Sequence, residues 1–316
     1  MVFNHIYVAE GAKLTISEGA KLYMHGGANI IVDGELECRG TFEHPVVIRG
    51  DRFDCINDVD QTPYDQTPNQ WGGIYLQNAQ SHNVIENTHV RGASMGILLV
   101  GANRSEPVLE LRNSVVHNSG AYGVYAQQGS LVIENSEISN CGESCIVQLG
   151  GTLRMAHTTV ANYYRYASRE NASVRILNYV MQNGVRLTFP VTSAVIENSI
   201  IFGGNAEELE LGQDTTSVTD YNVLLSHTLI KGKKVESERF VDCRWARSQN
   251  ERNGIDTVFV NTSIIDITET GYFNFHLDSL SCARDCGPVS VSTLYPLDLD
   301  GKDRNSDGKP DLGAYE

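Results

Sequence analysis

Apolar residues along this chain straddle a recurring polar corner. Two places before Asn87, Asn113, Asn135, His157, Asn178 and Asn198 stand Ile85, Leu111, Ile133, Met155, Ile176 and Ile196. Three places after them stand Val90, Val116, Ile138, Val160, Met181 and Ile201. The corner residues are spaced 26, 22, 22, 21 and 20 apart, and a period of about 20–25 residues marks a solenoid. Alternate side chains of a strand share a face, so apolar residues at minus two and plus three point inward together only if the chain bends between them. Asn suits that bend because it tolerates the left-handed backbone. Its amide can also bond the next Asn one coil away, giving a ladder at roughly the 4.8 Å strand spacing. Thr88, Ser114, Ser136, Thr158 and Ser199, directly after the corners, extend the stack, and His157 substitutes for one rung.

A second series runs in phase: Gly73-Ile74-Tyr75-Leu76, Gly96-Ile97-Leu98-Leu99, Gly123-Val124-Tyr125-Ala126 and Cys145-Ile146-Val147-Gln148. Each coil therefore holds at least two short strands, with room for a third. No helical periodicity is sustained, and the Leu-x-x-Leu-x-Leu consensus of leucine-rich repeats is missing. The pattern resembles the right-handed parallel β-helix, or pectate-lyase-like, class. The expectation is one all-β domain over 1–316, with an N-terminal cap and first coils at 1–50. An acidic insertion follows at 51–70, then regular coils at 71–240, with last coils and a C-terminal closure at 241–316. In the cap, Glu10-Gly11-Ala12-Lys13-Leu14 returns as Glu18-Gly19-Ala20-Lys21-Leu22, reading as short strands joined by Gly turns.

Charge narrows the functions. With 24 basic and 39 acidic residues the net charge is −15, which disfavours nucleic acid and anionic membranes and would repel polyuronates unless a local cationic groove or calcium intervened. No apolar run is long enough to span a bilayer. Met1-Val2-Phe3-Asn4 lacks the charged start and apolar run of a signal peptide, so an upstream export signal is expected. Seven cysteines, an odd number, read as small buried apolar residues or incidental thiols, with a local Cys282–Cys286 disulfide as the main exception.

Residues 51–70 break the coil pattern. Asp51, Asp54, Asp58, Asp60 and Asp65, with Phe53, Tyr64 and Trp71, could bind calcium or a sugar, carboxylates taking hydroxyls and a ring taking the apolar sugar face. The run Tyr163-Tyr164-Arg165-Tyr166 is a second sugar-stacking candidate. The linear order of several elements is similar to a family of exported bacterial β-helix proteins, commonly lipoproteins or surface proteins of unassigned activity. These elements are the Glu-Gly-Ala start, Pro45-Val46-Val47-Ile48-Arg49-Gly50-Asp51-Arg52, Pro63-Tyr64-Asp65, Gln70-Trp71-Gly72-Gly73-Ile74, the corner coils and the final Pro310-Asp311-Leu312-Gly313-Ala314-Tyr315-Glu316. The resemblance implies a cell-envelope, outer-surface or secreted location. No cysteine stands near the N-terminus for lipidation, so anchoring is implied by the family alone.

The catalytic inventory is thin. No aspartate lies between Asp65 and Asp214 and no lysine between Lys21 and Lys231, which removes the usual lysine bases, paired aspartates and aspartate calcium ligands from the middle coils. Glu86, Arg112 and Glu134, each just before a corner, read as a stacked surface ion-pair column. Arg91, His117, Arg154, Arg165, Arg169 and Arg175 show no convergent spacing. In the tail, Asp303, Asn305, Asp307 and Asp311, with Gly308 in between, resemble the opening of a calcium loop. Position twelve is Ala314 instead of Glu. In the alternative reading of the tail, Arg304 pairs with Asp311 and Tyr315 packs on the last coil. The expected function is a monomeric, non-catalytic surface scaffold or glycan-binding protein that requires no cofactor, calcium being the one ion its motifs could hold. The alternative is a polysaccharide lyase or glycoside hydrolase.

Overall fold

The computed structural model describes residues 1–56, 62–101, 106–246, 258–263 and 272–316. Three parallel sheets of eight, nine and nine strands wrap one core, giving a parallel β-helix. The sheet carrying the Gly series is termed here the glycine sheet, and the sheets before and after the Asn corners the pre-corner and post-corner sheets. In the pre-corner sheet Ile85, Leu111, Ile133, Met155, Ile196 and Leu225 stack in register. In the post-corner sheet Val90, Val116, Ile138, Val160, Ile201 and Ile230 do the same. All twelve are buried, and each contributes roughly 1.5–3 kcal/mol of transfer free energy relative to exposure. Residues 1–50 already form paired strands of the first two coils.

The corners adopt the left-handed conformation at Asn87, Asn113, Asn135, His157, Asn198, His227 and Asp242. Asn178 is not among them, correcting the expected series. It ends a glycine-sheet strand, Val174–Leu177, and leads into an antiparallel hairpin of Tyr179–Gln182 and Val185–Thr188. Met181 is consequently 54% exposed. The true rung after His157 is Asn198, whose Nδ2 lies 2.8 Å from His157 Nε2. Two insertions in that coil restored an apparent period of about 20 residues by coincidence of length.

The amide ladder is interrupted. Asn135 donates to Asn113 Oδ1 at 2.9 Å, whereas Asn87 donates to the Gly40 carbonyl. The hydroxyl column beside it is more regular. Thr88, Ser114, Ser136, Thr158, Ser199 and Thr228 each donate to the carbonyl two residues back. Several accept the backbone N–H of the preceding coil's equivalent residue.

The C-terminal segment folds back along the corners instead of closing the last coil. Arg304, fully buried, donates to Asn135 Oδ1 and the Ala314 carbonyl; the alternative pairing with Asp311 does not form. Gly313 N–H bonds the Asn198 carbonyl at 2.9 Å and Ala314 N–H bonds Thr159 Oγ1 at 2.9 Å. Tyr315 reaches the middle coils, not the last one. All seven cysteines are free thiols, Cys38, Cys141 and Cys145 in the core, so the expected exception at Cys282 and Cys286 does not form. Among the described residues no helix is long and apolar enough to cross a membrane.

Candidate functional site

Outward positions of the post-corner sheet form two columns. The second residue after each corner gives His89, Val115 and Glu137; the fourth gives Arg91, His117 and Ser139, in register on three adjacent coils. Arg91 and His117, which sequence spacing left unconnected, are therefore neighbours. The described end of the insertion, residues 62–70, folds over this face. Its short 3-10 turn, Tyr64–Gln66, places Asp65 between Arg49 (3.1 Å) and Arg91 (3.0 Å) and Gln66 Oε1 3.4 Å from His117 Nε2. Tyr272, Phe273 and Tyr315 wall the opposite side of a cleft of about 240 Å³.

Proton positions follow from donor inventories. A guanidinium only donates, so Arg91 Nη2, 3.0 Å from His89 Nδ1, makes that nitrogen the acceptor and leaves the proton of the neutral ring on Nε2. Burial first, then the Arg91 charge, depress His89 to about 4. Ser139 gives its one proton to Glu137 Oε1 at 2.6 Å, so at 2.5 Å it must accept from His117 Nδ1. Tyr315 donates to the other oxygen, Oε2, at 2.5 Å. Burial would raise the Glu137 carboxyl, but His117 and the Ser139 and Tyr315 hydroxyls outweigh it and hold it below the ordinary range.

This geometry restricts the chemistry. Ser139 is fully buried and its lone hydroxyl proton is committed, so it is no nucleophile. Asp65 is ion-paired with Arg49 and Arg91, and Glu137 accepts from the Ser139 and Tyr315 hydroxyls. What the cleft offers is donors, from Arg91 and His89 Nε2–H, and aromatic faces. Phe273 stands at φ +28, a strained backbone for a bulky residue, and strain of this kind clusters at ligand clamps. Its ring packs edge-on to His117 at 5.7 Å and stacks on Phe275 at 5.9 Å.

The expected ligand residues divide. Asp65 lies beside the cleft, and Tyr166 joins the insertion by donating to the Gln66 carbonyl at 3.0 Å; Tyr164 packs on Tyr166 at 5.6 Å. Tyr163 stacks on Phe275, behind Phe273. Asp51 bonds His25, and Asp54 bonds Arg52, which covers the Tyr64 ring at 3.5 Å. Asp58 and Asp60 lie outside the described residues. Trp71 is a correction: it is 1% exposed and donates its indole N–H to the Arg91 carbonyl, so it fixes the floor and cannot stack on a ligand. The tail quartet does not converge. Asp303, Asp307 and Asp311 accept backbone N–H groups of Asn305, Lys309 and Asp285, and Asn305 turns toward the Ser292 carbonyl. Among the described residues no group of three or more His, Cys, Asp or Glu could hold a metal ion.

Of Glu86, Arg112 and Glu134, the last two form an ion network. Glu134 takes Arg112 Nε at 2.9 Å, Arg154 Nη1 at 2.6 Å and the Tyr295 hydroxyl at 2.8 Å, whereas Glu86 joins by register alone. Residues 72–273 match the family model described as "Right handed beta helix region". No curated protein matches the chain.

Proposed function

Because the chain belongs to that right-handed β-helix family, we propose that it is a non-catalytic, glycan-binding scaffold whose cleft over the post-corner sheet takes the sugar. The observation that carries this reading is the commitment of the carboxylate in the cleft and of the one beside it, Glu137 to Ser139 and Tyr315 and Asp65 to two arginines. Arg91 and His89 Nε2–H would donate to sugar oxygens, and Phe273 with Tyr272 would cover the apolar face of a ring. We place the protein on the cell surface or in the secreted fraction, as a monomer of pectate-lyase-like type. Resemblance to exported, lipid-anchored proteins supports that placement.

The test is a glycan array followed by titration of any hit into wild type, Phe273→Ala and Arg91→Gln. Loss of affinity of roughly tenfold or more in both variants, with the far-ultraviolet spectrum unchanged, is expected if one stacking face and one charged donor are removed. Full affinity in both would place the glycan elsewhere. Cleavage of the glycan would establish the lyase or hydrolase reading instead.

A further inference from the structure

A second cavity, of about 230 Å³, shares no residue with the cleft and exists because the last coil is incomplete. Among the described residues the pre-corner sheet ends at Phe240–Val241 and the post-corner sheet at Arg244–Ala246. The glycine sheet stops one coil earlier, at Leu209–Gly212. Leu209 and Leu211, which another strand would have covered, face the cavity together with Ile230, Phe240 and Trp245. Phe240 and Trp245 meet edge to face at 5.0 Å.

The rim carries the opposite sign from the molecule. In a chain of net charge −15 with no lysine between Lys21 and Lys231, Lys231, Lys233 and Arg239 line this cavity against a single carboxylate, Glu207. None of the three cations is ion-paired among the described residues, although Lys234 next to them pairs with Glu236 at 2.7 Å. Lys231 is 5% exposed; its ammonium donates to the Gly203 carbonyl and lies over the Phe202 ring, and the nearest carboxylate acting on it, Glu208, is already paired with Arg169. Arg239 bonds the neutral Gln213 amide at 2.8 Å. Lys231 is buried and Arg239 half-buried, while Lys233 stands exposed at the rim; withdrawing the first two from water is costly, and an anion supplied from solution would relieve that cost.

We propose that this cavity binds an amphiphilic anion, an organic acid whose alkyl or aromatic tail packs on Trp245, Phe240 and the leucines while its head group is held by Lys231, Lys233 and Arg239. A neutral ligand would leave the rim's excess of cations over Glu207 uncompensated, and a small inorganic anion would leave the apolar wall wet.

The chain has two tryptophans, and Trp71 is 1% exposed in the core, so Trp245 emission reports on the cavity. Titration with octanoate should change that emission saturably, and octanol, its neutral twin, should bind at least roughly tenfold more weakly because it lacks the charge-assisted bonds. Lys233→Gln combined with Arg239→Gln should abolish the preference for octanoate and leave octanol binding unchanged. Absence of a saturable response to octanoate, equal affinity for the two probes, or an unaltered preference in the double variant would each overturn the proposal.

Discussion

Tyr315 gives its hydroxyl proton to Glu137, a residue 178 positions earlier, across 2.5 Å. Through Glu137 and Ser139 that bond continues to His117, so the tail completes a hydrogen-bonded chain on the floor of the cleft. Tyr315→Phe removes one partner of a buried carboxylate and should destabilise the fold by about 1–3 kcal/mol in urea unfolding. In the Glu137→Gln background the same change should cost less, which a double-mutant cycle would measure. Equal costs in both backgrounds would mean that the contact carries no coupling.

Stability should fall on acidification by way of His89. Its folded value of about 4 lies below the ordinary 6.5, so protonation favours the unfolded chain. The full contribution is present above 6.5 and is lost as pH drops toward 4, by about 2–3 kcal/mol. Glu137, held low in the fold, adds a further loss only below its ordinary value near 4.5. Unfolding midpoints measured from pH 7.5 to pH 4.5 should decline in wild type and less steeply in His89→Gln, where buried His157, also held low, still lowers stability on acidification and Glu316, raised to about 7, opposes it. A parallel decline in both proteins would exclude His89 as the titrating group.

Arg169 and Glu208 form a buried ion pair, with side-chain exposures of 4% and 0%. The Glu208 oxygens also accept from Ser173 and from the Asn205 N–H. Arg169→Ala would leave that carboxylate buried without its cation and should cost roughly 3–5 kcal/mol. The paired change Arg169→Met with Glu208→Leu should be milder than the single one. Calorimetric melting of the three proteins distinguishes these outcomes.

Asn135 combines three duties: a left-handed corner at φ 47, a bond to Asn113 and acceptance from buried Arg304. Asn135→Gly keeps only the first and should cost about 1–3 kcal/mol, whereas Asn135→Ala adds roughly 1–2 kcal/mol of backbone strain. The predicted order of unfolding midpoints is wild type, then Gly, then Ala.

Most of the coil architecture could be read from the chain because each coil repeats its own local requirements. An inward apolar pair and a left-handed corner leave their mark at every turn, as at Ile133, Asn135 and Ile138. Asn178 misled because the pattern Ile176, Asn178, Met181 imitates a corner by composition, and only sheet pairing reveals that Met181 sits on an exposed hairpin. The cleft had a usable signal that alternation exposes. The second and fourth residues after successive corners, His89 and Arg91, then His117, then Glu137 and Ser139, face outward on adjacent coils. Phe273 and Tyr315 left no such mark, since their contacts join residues more than 150 positions apart, and no local pattern encodes a tail that folds back.

Whether the cleft binds glycan without cleaving it is measured by assaying one glycan panel at once for binding and for product release, with new reducing ends read by a reducing-sugar assay and unsaturated products by ultraviolet absorbance. The expected result is saturable binding of at least one glycan with no product from any. Release of product from any polymer, abolished by Glu137→Gln or His89→Gln, would contradict it and make the cleft an active site.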